Sequence, residues 1–75
     1  MKNEEDKEFL KAFGQNLKKR RVENNFTQEQ LSNDLGIEIS QISRIERGIL
    51  NTSVLNIRKI ATILKINIAD LFDFE

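Results

Sequence analysis

Between Thr27 and Gly48 the chain reads TQEQLSNDLGIEISQISRIERG, and this stretch limits what the rest can fold into. Thr27 is a good helix N-cap, and Gln30 three residues later completes a capping box. The helix so started covers Gln28 to Leu35, with Leu31 and Leu35 facing inward. Gly36 ends it, because glycine accepts the left-handed conformation that closes a helix. Ile37 plugs the turn. A second helix runs from about Ile39 to Arg47, with Ile42 and Ile45 inward and Gly48 as its stop. Glu38 stands at its N-cap position, where its charge suits the helix dipole. With the isoleucines buried, Ser40, Gln41, Ser43, Arg44 and Arg47 project elsewhere.

The flanking segments also have helical period. Upstream, Phe9, Phe13 and Leu17 recur every four residues along a helix expected from about Glu5 to Asn24. Gly14 inside that helix costs about 1 kcal/mol relative to alanine, which points to close approach of another helix. Asn25 can supply a left-handed residue at its end, and Phe26 fills the corner. Downstream, Asn51 or Thr52 is expected to cap a fourth helix reaching Leu64, with Val54, Ile57, Ile60, Ala61 and Leu64 on one stripe. Asn67 caps a last short helix from Ile68 to Phe72. The chain contains no proline, and the expected fold is all-α with five helices in one small domain.

Composition removes several chemistries. With no Cys and no His there is no disulfide framework, no thiolate or imidazole for a metal, and no imidazole base. An enzyme would rest on carboxylates or lysines without an evident site motif, so none is expected, and no cofactor. The polar start, MKNEEDKE, has no apolar signal core, and no apolar run approaches a membrane span. The expectation is a soluble, cytoplasmic protein. Net charge is zero, but the charges are segregated. Residues 1–8 read as an acidic extension and the last six carry Asp70, Asp73 and Glu75. Between them, residues 9–66 hold ten Lys and Arg against five acids, a net charge of +5 in the middle of the chain.

The capped helix, glycine turn and second helix have the layout of a helix-turn-helix, whose second helix enters the DNA major groove. The chain resembles the phage repressor and Cro type of this motif, the xenobiotic-response-element family. The resemblance spans about Phe13 to Phe72. It is carried by Phe13-Gly14 with Leu17 and Arg21, by Thr27-Gln28-Glu29-Gln30-Leu31 and by Leu35-Gly36-Ile37. The run from Ile42 to Gly48 and the Ile60-Ala61 and Leu71-Phe72 pairs complete it. It implies a compact five-helix lambda-repressor-like domain over residues 9–75, and sequence-specific binding of double-stranded DNA, usually as a dimer on a near-palindromic operator. It also implies that Arg21 and Glu46 pair. The residues support that independently: Arg21 lies four after Leu17 on the apolar face, and Glu46 follows the core residue Ile45. The alternative is two solvated charges.

On this reading the start of the second helix of the motif reaches base edges. Arg44 is the best specifier, because its fork can grip guanine O6 and N7; a phosphate contact is its rival role. Ile39 can pack on a thymine methyl, and Ser40, Gln41 and Ser43 offer weaker polar contacts or plain surface. Thr27 and Gln28 form a candidate phosphate clamp. Arg47 and Asn51 flank the following loop and can reach phosphate. Lys18 and Lys19 are either a positive rim or solvated. The loop departs from the family pattern: Thr52 stands where proline is common, and Ile49 and Leu50 replace polar or basic residues.

One module of this size makes few base contacts, so a homodimer is expected. The apolar residues left for its interface are Leu55, Ile63, Ile68, Phe72 and Phe74, with Phe9 and Leu10 adjoining. Within the class of transcriptional regulators, a Cro-like repressor, a restriction-modification controller, an antitoxin and a piece of a larger repressor all fit. These residues leave no room for an effector-sensing domain. The alternative class is an antitoxin-like protein-interaction module that keeps the fold and binds DNA weakly or not at all.

Overall fold

The computed structural model describes residues 3–74, and the contributions of Lys2 and Glu75 to the charged ends lie outside it. Four α-helices form in order: α1 (Glu4–Glu23), α2 (Gln28–Leu35), α3 (Ile39–Glu46) and α4 (Val54–Leu64). A closing 3-10 helix, Ile68–Phe72, follows. The last expected helix is thus tighter than α. A five-residue segment cannot close many i to i+4 bonds, and the Asp70 carboxylate holds its start by accepting from the Asn67 N–H at 3.1 Å.

α1 is 20 residues long, about 30 Å at 1.5 Å per residue, and matches the 32 Å long axis of the domain. Asn3 starts it, its side-chain oxygen accepting from the Asp6 N–H at 2.8 Å. Glu4, Glu5 and Asp6 fill the first turn and Arg20 and Arg21 the last, so the charges complement the helix dipole at both ends. Asn25, at φ 63°, turns the chain out of α1, and Phe26 packs on the core behind it.

The core is made by Phe13 and Leu17 of α1, Leu31 of α2, Ile42 and Ile45 of α3, Ile60, Ala61 and Leu64 of α4, and Leu71. Leu35, Ile37, Leu50 and Ile57 pack around it. Two members of the expected apolar stripes lie outside. Phe9 is half-exposed, its ring covered on one side by Phe74 at 5.5 Å. Val54 is 76% exposed: it is the first residue of α4, before the turn that reaches the core.

The cap of α4 is Ser53, not Asn51 or Thr52. The Ser53 hydroxyl accepts from the Asn56 N–H at 3.0 Å, while Thr52 accepts from the Asn56 side chain at 3.1 Å. Three adjacent residues had capping chemistry, and only Ser53 stands three before the N–H that α4 presents. Glu38 makes no side-chain cap bond at α3, so its support there is electrostatic alone.

One buried polar residue ties the ends of the chain together. Asn16, one position before Leu17, donates both amide hydrogens, to the backbone carbonyls of Asp70 and Leu71, each at 2.9 Å. Arg20 reaches Asp73 at 3.5 Å, and the Phe13 and Phe72 rings pack at 5.1 Å. The closing helix is therefore fastened to α1, next to the core that α1 builds.

Candidate nucleic-acid interface

α2 and α3 stand against α1 through a brace of three side chains. The Arg21 guanidinium donates to Glu46 twice, Nε to Oε2 at 2.6 Å and Nη2 to Oε1 at 3.1 Å. Its third nitrogen, Nη1, donates to the Phe26 carbonyl at 2.7 Å. Glu46 Oε1 also accepts from the Gln28 side chain at 2.9 Å. Both charged residues are buried, so the fork-to-fork geometry is what makes their burial tolerable. The brace joins the end of α1, the start of α2 and the end of α3. It fixes Gln28 at the mouth of α2.

The close contact of α1 and α3 depends on Gly14. A Cβ there would lie 2.5 Å from the Glu46 carbonyl oxygen and would also run into that of Ile45. The helical cost of this glycine is offset by letting two backbones meet where Arg21 must reach Glu46.

At the start of α2 the capping box is complete. The Thr27 hydroxyl accepts from the Gln30 N–H at 3.0 Å, and the Gln30 side chain accepts from the Thr27 N–H at 2.9 Å. Thr27 is exposed and Gln28 half-buried. The N–H groups of Gln28 and Glu29, free by position in the first turn, face the same end as the Gln28 side chain. Gly36 closes α2 in the left-handed conformation at φ 79° and sends the chain directly into α3.

α3 is apolar on one side and open on the other. Ile42 and Ile45 are buried; Ile39, Ser40 and Arg44 are exposed, and Gln41 and Ser43 are half-buried. The helix ends at Glu46, and Arg47 is its C-cap residue rather than its last turn. The Arg47 Nε donates to the Ser43 carbonyl at 3.3 Å, which lays its side chain back along α3. The Arg44 guanidinium makes no hydrogen bond or ion pair among the described residues. Asn51 is exposed in the loop beyond. The structure therefore brings Gln28, Ser43 and Arg47 to one cleft, with Thr27 capping α2 beside Gln28, Arg44 exposed on α3, and Ile39, Ser40 and Gln41 at the start of α3.

The loop after α3 splits its two unusual apolar residues. Leu50 packs on the core, and Ile49 is 61% exposed. Of the other leftover apolar side chains, Leu55, Ile68 and Phe72 are exposed, while Ile63 and Phe74 are partly covered by the monomer's own core.

Two features of this region were not read from the sequence. One is the bond from Gln28 to Glu46, which no local spacing encodes across 18 residues. The other is a cleft between α1 and α3 lined by Lys11, Gln15, Lys18, Gln28, Ser43, Glu46 and Arg47. The spacing of Lys11, Gln15 and Lys18 on one helix face was the available signal.

Comparison with known proteins agrees with this architecture. A helix-turn-helix family model matches residues 17–71. The chain is 40% identical over 63 residues to the control protein C.BamHI of Bacillus amyloliquefaciens, across 83% of this chain and 78% of that one. Its fold is similar to that of the restriction-modification controller protein C.AhdI from Aeromonas hydrophila, with a TM-score of 0.80, 40% identity and coverage of 84% of this chain and 96% of the other. It is also similar to SinR, the master regulator for biofilm formation solved in complex with DNA, with a TM-score of 0.74, 29% identity and coverage of 81% and 98%. The chain thus belongs to the helix-turn-helix family, in its Cro/repressor or xenobiotic-response-element type, and is a DNA-binding transcriptional regulator rather than an enzyme.

Proposed function

We propose that the protein is a controller-type regulator that acts as a homodimer on a near-palindromic operator, placing α3 in the major groove of each half-site. The observation that carries this is the outward face of α3. Ser40 and Arg44 are exposed opposite buried Ile42 and Ile45, beside an α2 start held in place by Glu46. Arg44 is the base-reading residue, with Ile39, Ser40, Gln41 and Ser43 as its neighbours in the groove. Thr27, Gln28, Arg47 and Asn51 hold phosphates on either side. The 40% identity to two controller proteins favours control of a restriction-modification locus over the other roles open to this family.

The DNA-binding unit is residues 9–75. The acidic first turns of α1, within residues 1–8, lower affinity for DNA of the wrong sequence. A second copy docks on the exposed apolar residues Leu55, Ile68 and Phe72, with Ile63 and Phe74 beneath them. The pairing sets the two α3 helices about 34 Å apart, one turn of DNA. The proposed action takes place on DNA in the cytoplasm and needs no cofactor and no small-molecule effector. Among the described residues no helix is long and apolar enough to cross a membrane.

The test is selection from random duplex DNA, followed by binding at fixed salt to the enriched sequence and to DNA upstream of the protein's own gene. The expected product is a two-fold symmetric site. Arg44→Ala should lose about 1–3 kcal/mol of discrimination at one base position per half-site. No enrichment would refute the reading in favour of an interaction module. A protein that stays monomeric in sedimentation at high micromolar concentration, with an asymmetric site, would refute the dimer.

A further inference from the structure

Lys7, Lys11 and Lys18 stand at i, i+4 and i+11 on α1 and so share one helix face. That face borders the end of α3. Gly48, at φ 78°, makes the approach possible: a Cβ on it would lie 2.6 Å from the Lys11 Cα. The chain leaving α3 therefore passes directly over α1 at Lys11, and Arg47 comes to the same place. Two adjoining clefts result. One, of about 440 Å³, is lined by Lys11, Lys18 and Arg47 together with Gln28 and Ser43. The other, of about 400 Å³, is lined by Lys7, Lys11, Arg47 and the Gly48–Ile49 backbone turn. Lys11 and Arg47 belong to both.

The charge in this groove is unbalanced. None of its four cations is in an ion pair among the described residues. The one carboxylate in its wall, Glu46, is already occupied by Arg21 and Gln28. Glu4 lies one turn before Lys7 and Glu8 next to it in the chain, and neither lines the clefts. The groove opens beside Gln28 and Ser43, at the edge of the surface that reads DNA.

We infer that this α1–α3 groove is a second phosphate-binding track, in which Lys11, Lys18 and Arg47 hold the DNA backbone flanking the bases read by α3, with Lys7 at its outer end. The inference rests on the DNA-reading proposal above. It extends that proposal by assigning to α1 a contact outside the helix-turn-helix. From Lys7 to Lys18 the stripe is about 16 Å long at 1.5 Å per residue. One DNA strand presents a phosphate every ~3.4 Å of axis, so the track spans several of them. The ligand chemistry is a phosphodiester; a free phosphate has the same donors available.

The experiment compares the intact protein with Lys11→Gln/Lys18→Gln on the selected duplex across a salt series. Each lost phosphate contact should lower the slope of log K against log[salt] by about 0.9. The double variant should therefore lose about 1.8 from the slope, and its affinity should fall about tenfold less than that of the intact protein between ~50 and ~200 mM salt. The order of preference among operator variants should not change, because no base contact is touched. A Tm within about 2 °C of the parent confirms that folding is not the cause, and Lys19→Gln, outside both clefts, serves as the control. An unchanged slope in a double variant that folds and binds would overturn the track and leave the groove to an acidic protein partner. Inorganic phosphate titrated into the protein alone gives the second arm: saturable shifts of the Lys11 and Lys18 NMR signals, together with an unchanged salt slope in the double variant, would assign the groove to a free anion and overturn the track. Failure of the intact protein to bind any duplex would instead refute the DNA reading itself.

Discussion

Substituting Glu46 by alanine removes the centre of the brace, and the structure says what is left behind. The Arg21 side chain is only 8% exposed and that of Glu46 only 3%. Without the carboxylate, Arg21 keeps its bond to the Phe26 carbonyl but loses partners for Nε and Nη2, and the Gln28 amide loses its acceptor. A buried guanidinium without its carboxylate is an uncompensated charge, and removing one partner of such a pair costs about 3–5 kcal/mol. A 75-residue domain has about 4–11 kcal/mol of total stability, so the loss is a large fraction of it. At about 4–8 °C per kcal/mol for a domain of this size, Tm should fall by about 20 °C. The assay is urea denaturation at fixed protein concentration, read as a change in midpoint at constant slope. Arg21→Met with Glu46→Leu should recover most of the loss, because an apolar pair of similar volume carries no desolvation penalty. The double-mutant cycle should then show a coupling well above the few tenths found between independent sites. A Glu46→Ala protein within about 0.5 kcal/mol of the parent would refute the reasoning, as would a double variant as unstable as the single ones added together.

Gly14→Ala should destabilise by about 1–3 kcal/mol despite the gain in helix propensity, since its methyl would collide with the end of α3; a higher Tm would contradict the close packing. Ser53→Ala should cost about 1 kcal/mol and Asn51→Ala less than about 0.5, measured by thermal melts, because Ser53 accepts from a backbone N–H at the start of α4 and Asn51 does not.

The sequence by itself determined the elements and the turn between them. The Thr27–Gln30 capping box, the positive φ of Gly36 and Asn25, and the inward set Leu31, Ile42 and Ile45 follow from chemistry within a few residues along the chain, and the structure places them as expected. Gly14 was legible as a point of close approach because a glycine inside a helix is costly without such a reason. What local chemistry left undecided needed the tertiary structure. Asn51, Thr52 and Ser53 are equivalent as caps, and the choice fell to Ser53 once the burial of Ile60, Ala61 and Leu64 fixed the register of α4. Val54 and Phe9 had the spacing of core residues, yet Val54 is exposed at the first residue of α4 and Phe9 is half-exposed, covered on one side by Phe74. Nothing local to Asn16 marks it as a buried residue, and only the return of the chain at Asp70 and Leu71 supplied the two carbonyls that satisfy it. The charged residues divide in the same way. Arg44 could be singled out by residue type and helix position, whereas Lys11 came to line clefts with Arg47 only when the turn at Gly48 was laid over α1. Periodicity records which side of a helix is apolar, but contacts made across 20 to 60 residues depend on how the helices are stacked, and no local spacing contains that information.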